Sequence, residues 1–436
     1  MSPVGERPPL AVRLGDPTAM DAERVGPKAA TLARLRQVGM PVPDGICLAA
    51  EAYRVQLEAS GVATAAARVA GTEDEDEGDA RRLALEVRLG FLREPLAASA
   101  ADAIDAVHAL MVEAPRSVLA VRSSALREDT PGASFAGQFD TFLGMASRAD
   151  LITAVRACWA CLWSARALRY MRTHDVDPAR TAMAVLVQRM VEARAAGGAL
   201  SASGAGGVVV TGTWGLGSAL AQGEVVPDRW VLGAGGEIES EEPGRKDRRV
   251  VTTSTGGTRP HAVDAPLVHE LCLEREDVVA LGRLVSRIES LLGLPVEVEW
   301  AQDRDGLHIL QARPLRVEPS RAPDDAWLRH PGLRGQPAGI GWGTGPACVV
   351  LHEHDLEHVK PGDVLVTQVA GPALTAVLHQ VAGVVAELGG STSHLAALTR
   401  ERGIPAVLGV IDATRRIPEG ATVVVDGVAG VVRWSR

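Results

Sequence analysis

One histidine, His394, stands in a setting suited to nucleophilic chemistry. It follows the glycine pair 389–390 and three hydroxyl residues at 391–393, and it precedes an amphipathic stretch that Gly403 and Pro405 bring to an end. This pattern predicts a short helix with His394 in its first turn. A helix N-terminus exposes backbone N–H groups and the positive end of the macrodipole, which stabilise a negative group there. A neutral imidazole at that point could act as a nucleophile and then carry a phosphoryl group.

A second set of polar residues is spaced for metal and phosphate binding. Glu297 and Glu299 alternate with apolar residues, so the pattern predicts both carboxylates on one face of a strand. A turn at 303–306 leads into a second strand, on which Gln311 and Arg313 share a face. A carboxylate, an amide oxygen and an arginine could therefore converge on one metal–phosphate centre. Mg²⁺ prefers such hard oxygen ligands together with phosphate.

Further residues near the N-terminus are of types that bind phosphate or nucleotide. They are Lys28 at a predicted helix start, Arg122 at the end of a predicted strand, the loop of small residues 133–141, and Gln188 at another strand end. A loop of small residues lets backbone N–H groups approach phosphate oxygens closely. The amide of Gln188 offers both donors and an acceptor to a base or a ribose.

The elements that must position these residues form a mixed α/β (α+β) pattern. Helical periodicity covers 28–35 and 80–112, and the Ala-rich, then acidic stretch 61–79 is predicted to be a surface loop. Strands are predicted at 117–121, 184–188, 207–211, 296–300 and 307–312, and then at 363–367, 381–386, 406–409, 422–425 and 431–434. We divide the chain into domains 1–314 and 333–436, joined by a polar, proline-containing linker at 315–332.

Composition limits the classes of partner. The chain has 436 residues, 46% of them hydrophobic, a size that suits two or three domains. A net charge of −9, with no basic block beyond residues 245–249, argues against nucleic acid. The first residues lack the apolar core of a signal peptide, and no run approaches the roughly 20 apolar residues that cross a bilayer. We therefore expect no membrane association, a cytoplasmic location and reduced thiols.

Two motifs resemble metal sites but are interpreted differently. Cys158 and Cys161 lie in an apolar helical pattern without a second cysteine pair, so we expect a packed helix face. His354 and His358 have the i, i+4 spacing of helical metal ligands, but they precede a Pro-Gly turn. A solvated connecting turn is the expectation there.

The whole chain also resembles a known family. The segment from Glu387 to Val407 resembles the phosphohistidine segment of phosphoenolpyruvate (PEP) synthase, pyruvate phosphate dikinase and rifampicin phosphotransferase. Other segments resemble the ATP-grasp domain of the same group: Val121–Ala125, Glu128–Asp129, Ser134–Gln138, Trp214–Gly217, Gly223–Asp228, Glu299–Trp300 and Leu310–Pro314. The resemblance implies an ATP-grasp domain followed by a small β/α phosphohistidine swivelling domain, with ATP and Mg²⁺ bound.

This resemblance also implies the site residues. The positions that match ATP and Mg²⁺ binding are Lys28, Arg122, Gly137, Thr141, Gln188, Glu299, Gln311 and Arg313, with Glu299 and Gln311 as metal ligands and Arg122, Arg313 and His394 as the catalytic groups. Two departures alter the expected geometry around the phosphates. Gly26-Pro27 precedes Lys28 where the family usually has Gly-Gly, and Ser218 stands where a Glu commonly follows Gly-Leu-Gly.

The resemblance leads to a functional prediction and an alternative. In the family, a pyruvate-binding barrel or an antibiotic-binding domain supplies the acceptor, and we expect neither in this sequence. We predict an ATP- and Mg-dependent phosphotransferase that phosphorylates its own His394, releases AMP and passes the phosphoryl group to a pyruvate-like molecule, a small metabolite or an antibiotic. Alternatively, the chain is a phosphocarrier or regulatory subunit whose phosphohistidine serves a separate acceptor-binding protein.

Overall fold

The structure is a computed structural model that describes residues 8–70, 77–112, 118–128, 135, 139–203, 207–253, 255–315, 332–368 and 371–435. The chain forms two compact units. Unit 1 comprises Met1–Val191, Thr252–Arg259 and His308–Arg313, and unit 2 comprises Glu192–Val251, Pro260–Leu307 and Pro314–Arg436. The predicted division at 314 and 333 stays a prediction, and most of the predicted linker lies outside the described residues.

Unit 1 is built on an antiparallel sheet of five strands in the order β1-β2-β5-β3-β4. The strands are β1 Ala11–Arg13, β2 Gly45–Leu48, β3 Leu119–Ala125, β4 Thr141–Met145 and β5 Met183–Arg189. The helices are α1 Ala22–Gln37, α2 Ala50–Ala59, α3 Ala63–Ala70, α4 Glu77–Arg93, α5 Ala98–Met111, α6 Arg148–Cys161 and α7 Ala165–Thr173. The strands predicted at 117–121 and 184–188 correspond to β3 and β5.

The structure overturns one loop prediction and refines two helical ones. The stretch 61–79 was predicted to be a loop, but its Ala-rich part forms helix α3, as the high helix propensity of alanine favours. The turn before Lys28 is a kink inside α1, because Gly26 has φ +74° and Pro27 follows it. A Cβ at Gly26 would lie 2.4 Å from the Ser124 carbonyl oxygen, so only glycine fits at this close approach. The single periodic stretch predicted at 80–112 is two helices, α4 and α5, separated around Pro95. Proline disfavours the helical conformation of the residue before it, which explains the break.

The helices of unit 1 cover an aromatic core. The rings of Tyr53 and Phe91 stack with centroids 4.9 Å apart, and Trp163 Nε1 donates a hydrogen bond of 2.8 Å to the Tyr53 hydroxyl. Cys158 and Cys161 are buried in this core as free thiols, and burial raises the pKa of Cys161 to about 11. A protonated, buried thiol is a poor metal ligand, so the prediction of a packed helix face is confirmed.

Residues Arg148–Thr173, which contain α6 and α7, are long and apolar enough by length and composition to cross a membrane. Core helices pass the same test, and 56% of the most apolar window is buried inside the protein. The signal is therefore weak, and membrane association and cellular location stay predictions.

The region from Ala195 to Pro314 contains a six-stranded sheet in the order β13-β12-β6-β7-β8-β9. Most of this region belongs to unit 2, whereas residues 252–259 and 308–313 are grouped with unit 1. Its elements are β6 Ala195–Ser203, β7 Gly207–Trp214, α8 Ser218–Ala221, β8 Asp228–Leu232, β9 Ile238–Glu242, β10 Arg248–Thr252, β11 Thr258–Ala262, α9 Arg275–Leu292, β12 Val296–Asp303 and β13 Gly306–Pro314. The amphipathic helix α9 packs against β6, β7, β8 and β12. The strands predicted at 207–211, 296–300 and 307–312 correspond to β7, β12 and β13.

The second part of unit 2 is an eight-stranded sheet in the order β14-β21-β20-β16-β17-β18-β19-β15. Its elements are β14 Gly332–Arg334, β15 Gln336–Gly339, β16 Trp342–Val350, β17 Val364–Thr367, β18 Gly383–Ala386, α10 His394–Glu401, β19 Ala406–Leu408, α11 Ala413–Arg416, β20 Thr422–Asp426 and β21 Val431–Ser435. Strands β16 to β19 run parallel. The mixed α/β class and the five predicted strands of this part are confirmed.

A buried ion pair supports unit 2. The Lys246 ammonium donates to the Asp228 carboxylate, and both side chains are completely buried. The same carboxylate accepts hydrogen bonds from the backbone N–H of Gly244 at 2.7 Å and of Cys272 at 2.8 Å. Each charge therefore has partners, as a buried ion requires.

Lys246→Met should strongly destabilise unit 2, because it leaves the Asp228 carboxylate buried without its counterion. Removing one member of such a pair typically costs about 3–5 kcal/mol of unfolding free energy. Arg275→Met, which removes the exposed pair with Glu241 in the same unit, should cost less than about 1 kcal/mol. Thermal and urea unfolding monitored by tryptophan fluorescence measure both, and equal losses in the two variants would contradict the assignment.

Candidate functional site

The residues before His394 have the predicted local structure. Residues 389–394, here called the His394 segment, begin at Gly389 with φ +93° and end at the first residue of α10. Ser393 caps this helix, since its side-chain oxygen accepts the Ala396 N–H at 3.3 Å. Gly403, with φ +64°, follows the helix end. The part-exposed His394 side chain therefore stands at the positive end of α10.

One face of the six-stranded sheet carries the predicted acidic residues. Glu299 on β12 pairs with Gly198 on β6, and Gly198 pairs with Thr211 on β7. Directly opposed residues project to the same face, so these three form one row across three strands. Glu297 lies two residues before Glu299 and shares its face, as predicted. We call this the carboxylate face.

The His394 segment lies on this row. A Cβ added at Gly198 would lie 2.5 Å from the Cβ of Thr392, so the glycine leaves the space that the threonine fills. The hydroxyls of Thr392 and Thr211 are 2.5 Å apart and share a hydrogen bond. Thr392, two residues from the histidine, is thereby fixed against the cross-strand neighbour of Glu299.

The glycine pair of the same segment makes a second contact within unit 2. The Gly389 N–H donates to the Val225 carbonyl at 3.0 Å, and a Cβ at Gly390 would lie 2.4 Å from Cγ of Pro227. Gln336 completes the contact: its amide nitrogen donates to the Pro227 carbonyl at 2.9 Å, and its amide oxygen accepts the Ser391 N–H at 3.3 Å. The motif 223–228 therefore holds the turn that precedes the histidine.

In unit 1, several predicted nucleotide-binding residues share a sheet face. Arg122 on β3 is paired with Thr141 on β4. Gln188 on β5 is paired with Ala120, which lies two residues before Arg122 and points to the same side. The structure thus brings Arg122, Thr141 and Gln188 to one face.

The predicted phosphate-binding cations of unit 1 are buried and oriented. Lys28 is 8% exposed, and its ammonium donates to the Ser123 carbonyl at 2.8 Å and pairs with Glu128 at 3.1 Å. The Arg122 guanidinium donates to the Leu310 carbonyl at 2.7 Å. Both cations are held at fixed positions by backbone oxygens, as a preorganised phosphate site requires.

The remaining predicted site residues, Gly137, Glu299, Gln311 and Arg313, are not brought together within one unit. Gly137 lies outside the described residues. Glu299 is exposed on β12 in unit 2, whereas Gln311 and Arg313 are half-buried on β13 in unit 1. Their convergence on one metal–phosphate centre stays a prediction.

The donor chemistry fits Mg²⁺ bound together with nucleotide. The described residues contain no group of three or more His, Cys, Asp or Glu placed to hold a metal, and His354 and His358 are exposed in a short 3₁₀ helix. A carboxylate and an amide oxygen supply too few ligands for an all-protein Mg²⁺ cage. Such a pair suits an ion whose remaining ligands are phosphate oxygens and water.

Two long-range contacts of this site were not predicted from the sequence. Thr211 and Thr392 are 181 residues apart, and the pair Arg400 and Glu297, described below, is 103 residues apart. One signal was available: glycine inside a strand marks a close backbone approach, and β6 contains the pair 197–198.

Comparisons with known proteins agree with this arrangement. The family model described as "Pyruvate phosphate dikinase, AMP/ATP-binding domain" matches residues 22–328, and the one described as "PEP-utilising enzyme, mobile domain" matches residues 359–430. The predicted order, a nucleotide-binding domain followed by a PEP-utilising domain, is confirmed.

Curated relatives match along nearly the whole chain. The phosphoenolpyruvate synthase of Aeropyrum pernix is 33% identical, covering 94% of this chain and 56% of the relative. The phosphoenolpyruvate synthase of Escherichia coli is 32% identical over 94% and 55%, and the probable phosphoenolpyruvate synthase of Pyrococcus abyssi is 30% identical over 94% and 57%. The chain thus spans somewhat more than half the length of these relatives. It belongs to the phosphoenolpyruvate synthase and pyruvate phosphate dikinase family.

Proposed function

We propose that this chain is the ATP-binding and phosphohistidine-bearing part of an ATP- and Mg-dependent phosphotransferase. A ring nitrogen of His394 attacks ATP and forms a bond to phosphorus, and AMP leaves. The γ-phosphoryl group passes to water or orthophosphate, and the phosphoryl group that remains on His394 passes to an acceptor. The family matches support ATP as the donor, because the first of them is an AMP/ATP-binding domain.

One observation carries the proposal. Thr392, two residues before the histidine, packs on Gly198, and Gly198 is the cross-strand partner of Glu299. The loop that bears the nucleophile is therefore fixed to the strand pair that bears the proposed metal ligand. Proximity of this kind lowers the barrier of a transfer reaction by removing the entropy cost of bringing the partners together.

The proposed roles follow from charge and position. Lys28 and Arg122 bind phosphate oxygens in unit 1, and Gly137, Thr141 and Gln188 are proposed to complete the nucleotide site. Glu299 and Gln311 hold Mg²⁺, which neutralises phosphate charge when bound, and Arg313 stabilises charge that develops during transfer. The N-terminus of α10 stabilises the phosphoryl group on His394.

The acceptor is proposed from the family. PEP synthase relatives favour pyruvate or a similar small molecule, and the alternative is a separate acceptor-binding protein that uses the phosphohistidine. Incubating the protein with β-labelled ATP and then with pyruvate distinguishes the two. Labelled PEP indicates that the chain itself serves pyruvate, whereas label that leaves the protein only after a second protein is added indicates a phosphocarrier.

His394→Ala should abolish phosphorylation of the protein while ATP binding stays intact, because the substitution removes only the nucleophile. The measurement is acid-labile, base-stable label on the protein after incubation with β-labelled ATP. His379→Ala, at an exposed histidine of the same sheet region, is the matched control and should be labelled normally. Undiminished labelling of His394→Ala would contradict the assignment.

Substitutions in the β12–β13 hairpin should slow ATP consumption at saturating Mg²⁺. Arg313→Ala should lower the rate about 10²–10³-fold, as loss of one preorganised contact to developing charge typically does. Glu299→Ala and Gln311→Ala should weaken the dependence on Mg²⁺. Arg304→Ala, at the exposed hairpin turn, should keep the wild-type rate. Wild-type rates in all the other three variants would show that the metal site lies elsewhere.

A disulfide should trap the His394 segment on the carboxylate face. The hydroxyls of Thr211 and Thr392 are 2.5 Å apart, close to the S–S bond length of about 2.05 Å, so Thr211→Cys with Thr392→Cys should cross-link on oxidation. The oxidised protein should still be labelled from ATP, yet it should no longer pass label to pyruvate. Reduction should restore transfer. If the oxidised protein transfers label at the rate of the reduced one, movement of the segment is not required.

A further inference from the structure

A buried ion pair joins the far end of α10 to the carboxylate face. Nη2 of Arg400 lies 3.1 Å from Oε2 of Glu297, and each residue is only 8% exposed. Both residues belong to unit 2, 103 positions apart in the sequence. Neither residue was assigned a role by the sequence motifs, although Glu297 shares the strand face of Glu299.

The same arginine also organises the segment that bears the histidine. Its Nη1 donates to the Ser391 carbonyl and, at 3.2 Å, to the Ala338 carbonyl of β15. Ser391 lies in the His394 segment itself. One guanidinium therefore connects the loop before the histidine, the neighbouring strand β15 and the Glu297 carboxylate of β12. The forked, planar guanidinium suits this role, because it offers five donors in a fixed geometry.

Because Arg400 lies at the far end of α10 from His394, its ion pair with Glu297 helps to fix the orientation of the helix. Arg400 follows His394 by six residues, which is about 9 Å along a helix that rises 1.5 Å per residue. Thr392 fixes one end of α10 to β6, and Arg400 fixes the other end to β12. Two contacts separated along the helix prevent it from rotating about either one, and the Gly389–Val225 hydrogen bond adds a third point.

Electrostatics makes the pair selective for one arrangement. Leaving the buried Glu297 carboxylate without its counterion would cost free energy. The protein is therefore more stable when α10 is placed so that Arg400 reaches Glu297. Ion pairs of this kind fix register and orientation more than they add affinity. Arg400 neutralises the Glu297 carboxylate, and the Glu299 side chain on the same strand face is exposed.

We propose that Arg400 and Glu297 are positioning residues, whose ion pair holds α10 on the carboxylate face in the orientation that presents His394 to ATP. The expected effect on labelling rests on the proposed phosphorylation of His394. The expected effect on how firmly the His394 segment is held does not depend on that function.

The first test measures how firmly the segment is held, without any catalysis. Glu297→Gln removes the charge and keeps an acceptor oxygen, so hydrogen–deuterium exchange over residues 389–394 should become at least tenfold faster. Arg402→Gln is the matched control: Arg402 caps the same helix, and its guanidinium donates to the Thr375 carbonyl. Exchange in that variant should match the wild type. Unchanged exchange in Glu297→Gln would overturn the proposal, whatever the protein's activity.

The second test measures labelling of His394 from β-labelled ATP. Glu297→Gln and Arg400→Lys should be labelled at least tenfold more slowly, while the ATP concentration that gives half-maximal rate stays at the wild-type value. A purely structural defect would weaken nucleotide binding as well. A normal labelling rate in Glu297→Gln would overturn the positioning role.

A rescue experiment separates this inference from the proposed function. The Thr211→Cys/Thr392→Cys disulfide should replace the ion pair, so oxidation should restore labelling of the Glu297→Gln protein to at least half the wild-type rate. No rescue, with the disulfide formed, would contradict a positioning role. If wild-type His394 accepts no label at all, the proposed function fails, and the exchange measurement alone decides whether the pair holds the segment.

Discussion

The close approach of two backbones at Gly198 is the constraint on which the arrangement around His394 depends. Thr392 occupies the volume that any side chain at position 198 would need. Glycine inside a strand weakens the sheet, because it adds no packing and loses more conformational entropy on folding than other residues. Glycine is nevertheless required at position 198, because the His394 segment packs directly on the strand backbone there.

Backbone carbonyl oxygens orient three buried positive charges. Lys28, Arg122 and Arg400 are all buried, and each donates to at least one backbone carbonyl. Carbonyl oxygens fix the direction of a cation without cancelling its full charge. Glu128 pairs with Lys28, and Glu297 pairs with Arg400. A phosphate that approaches Lys28 therefore meets an oriented ammonium and competes with Glu128 for it.

Local structure was largely predictable from the sequence, whereas the contacts between distant segments were not. The helix that starts at His394 follows from its serine cap and the glycine at 403, because capping acts over a few residues. The break between α4 and α5 was missed, since apolar periodicity continues across it. Arg400 on α10 and Glu297 on β12 meet across 103 residues of sequence, and no local pattern encodes a contact of that range.

The order of strands in the six-stranded sheet has a consequence for synthesis of the protein. β6 pairs with β12, although roughly 100 residues separate them, so the sheet is dominated there by a long-range contact. At about 5–20 residues per second, β12 leaves the ribosome roughly 5–20 s after β6. During this interval one edge of β6 has open hydrogen-bonding groups and is exposed to pairing with other chains. Chaperone binding to nascent chains that end between β6 and β12 should therefore protect the newborn protein from aggregation.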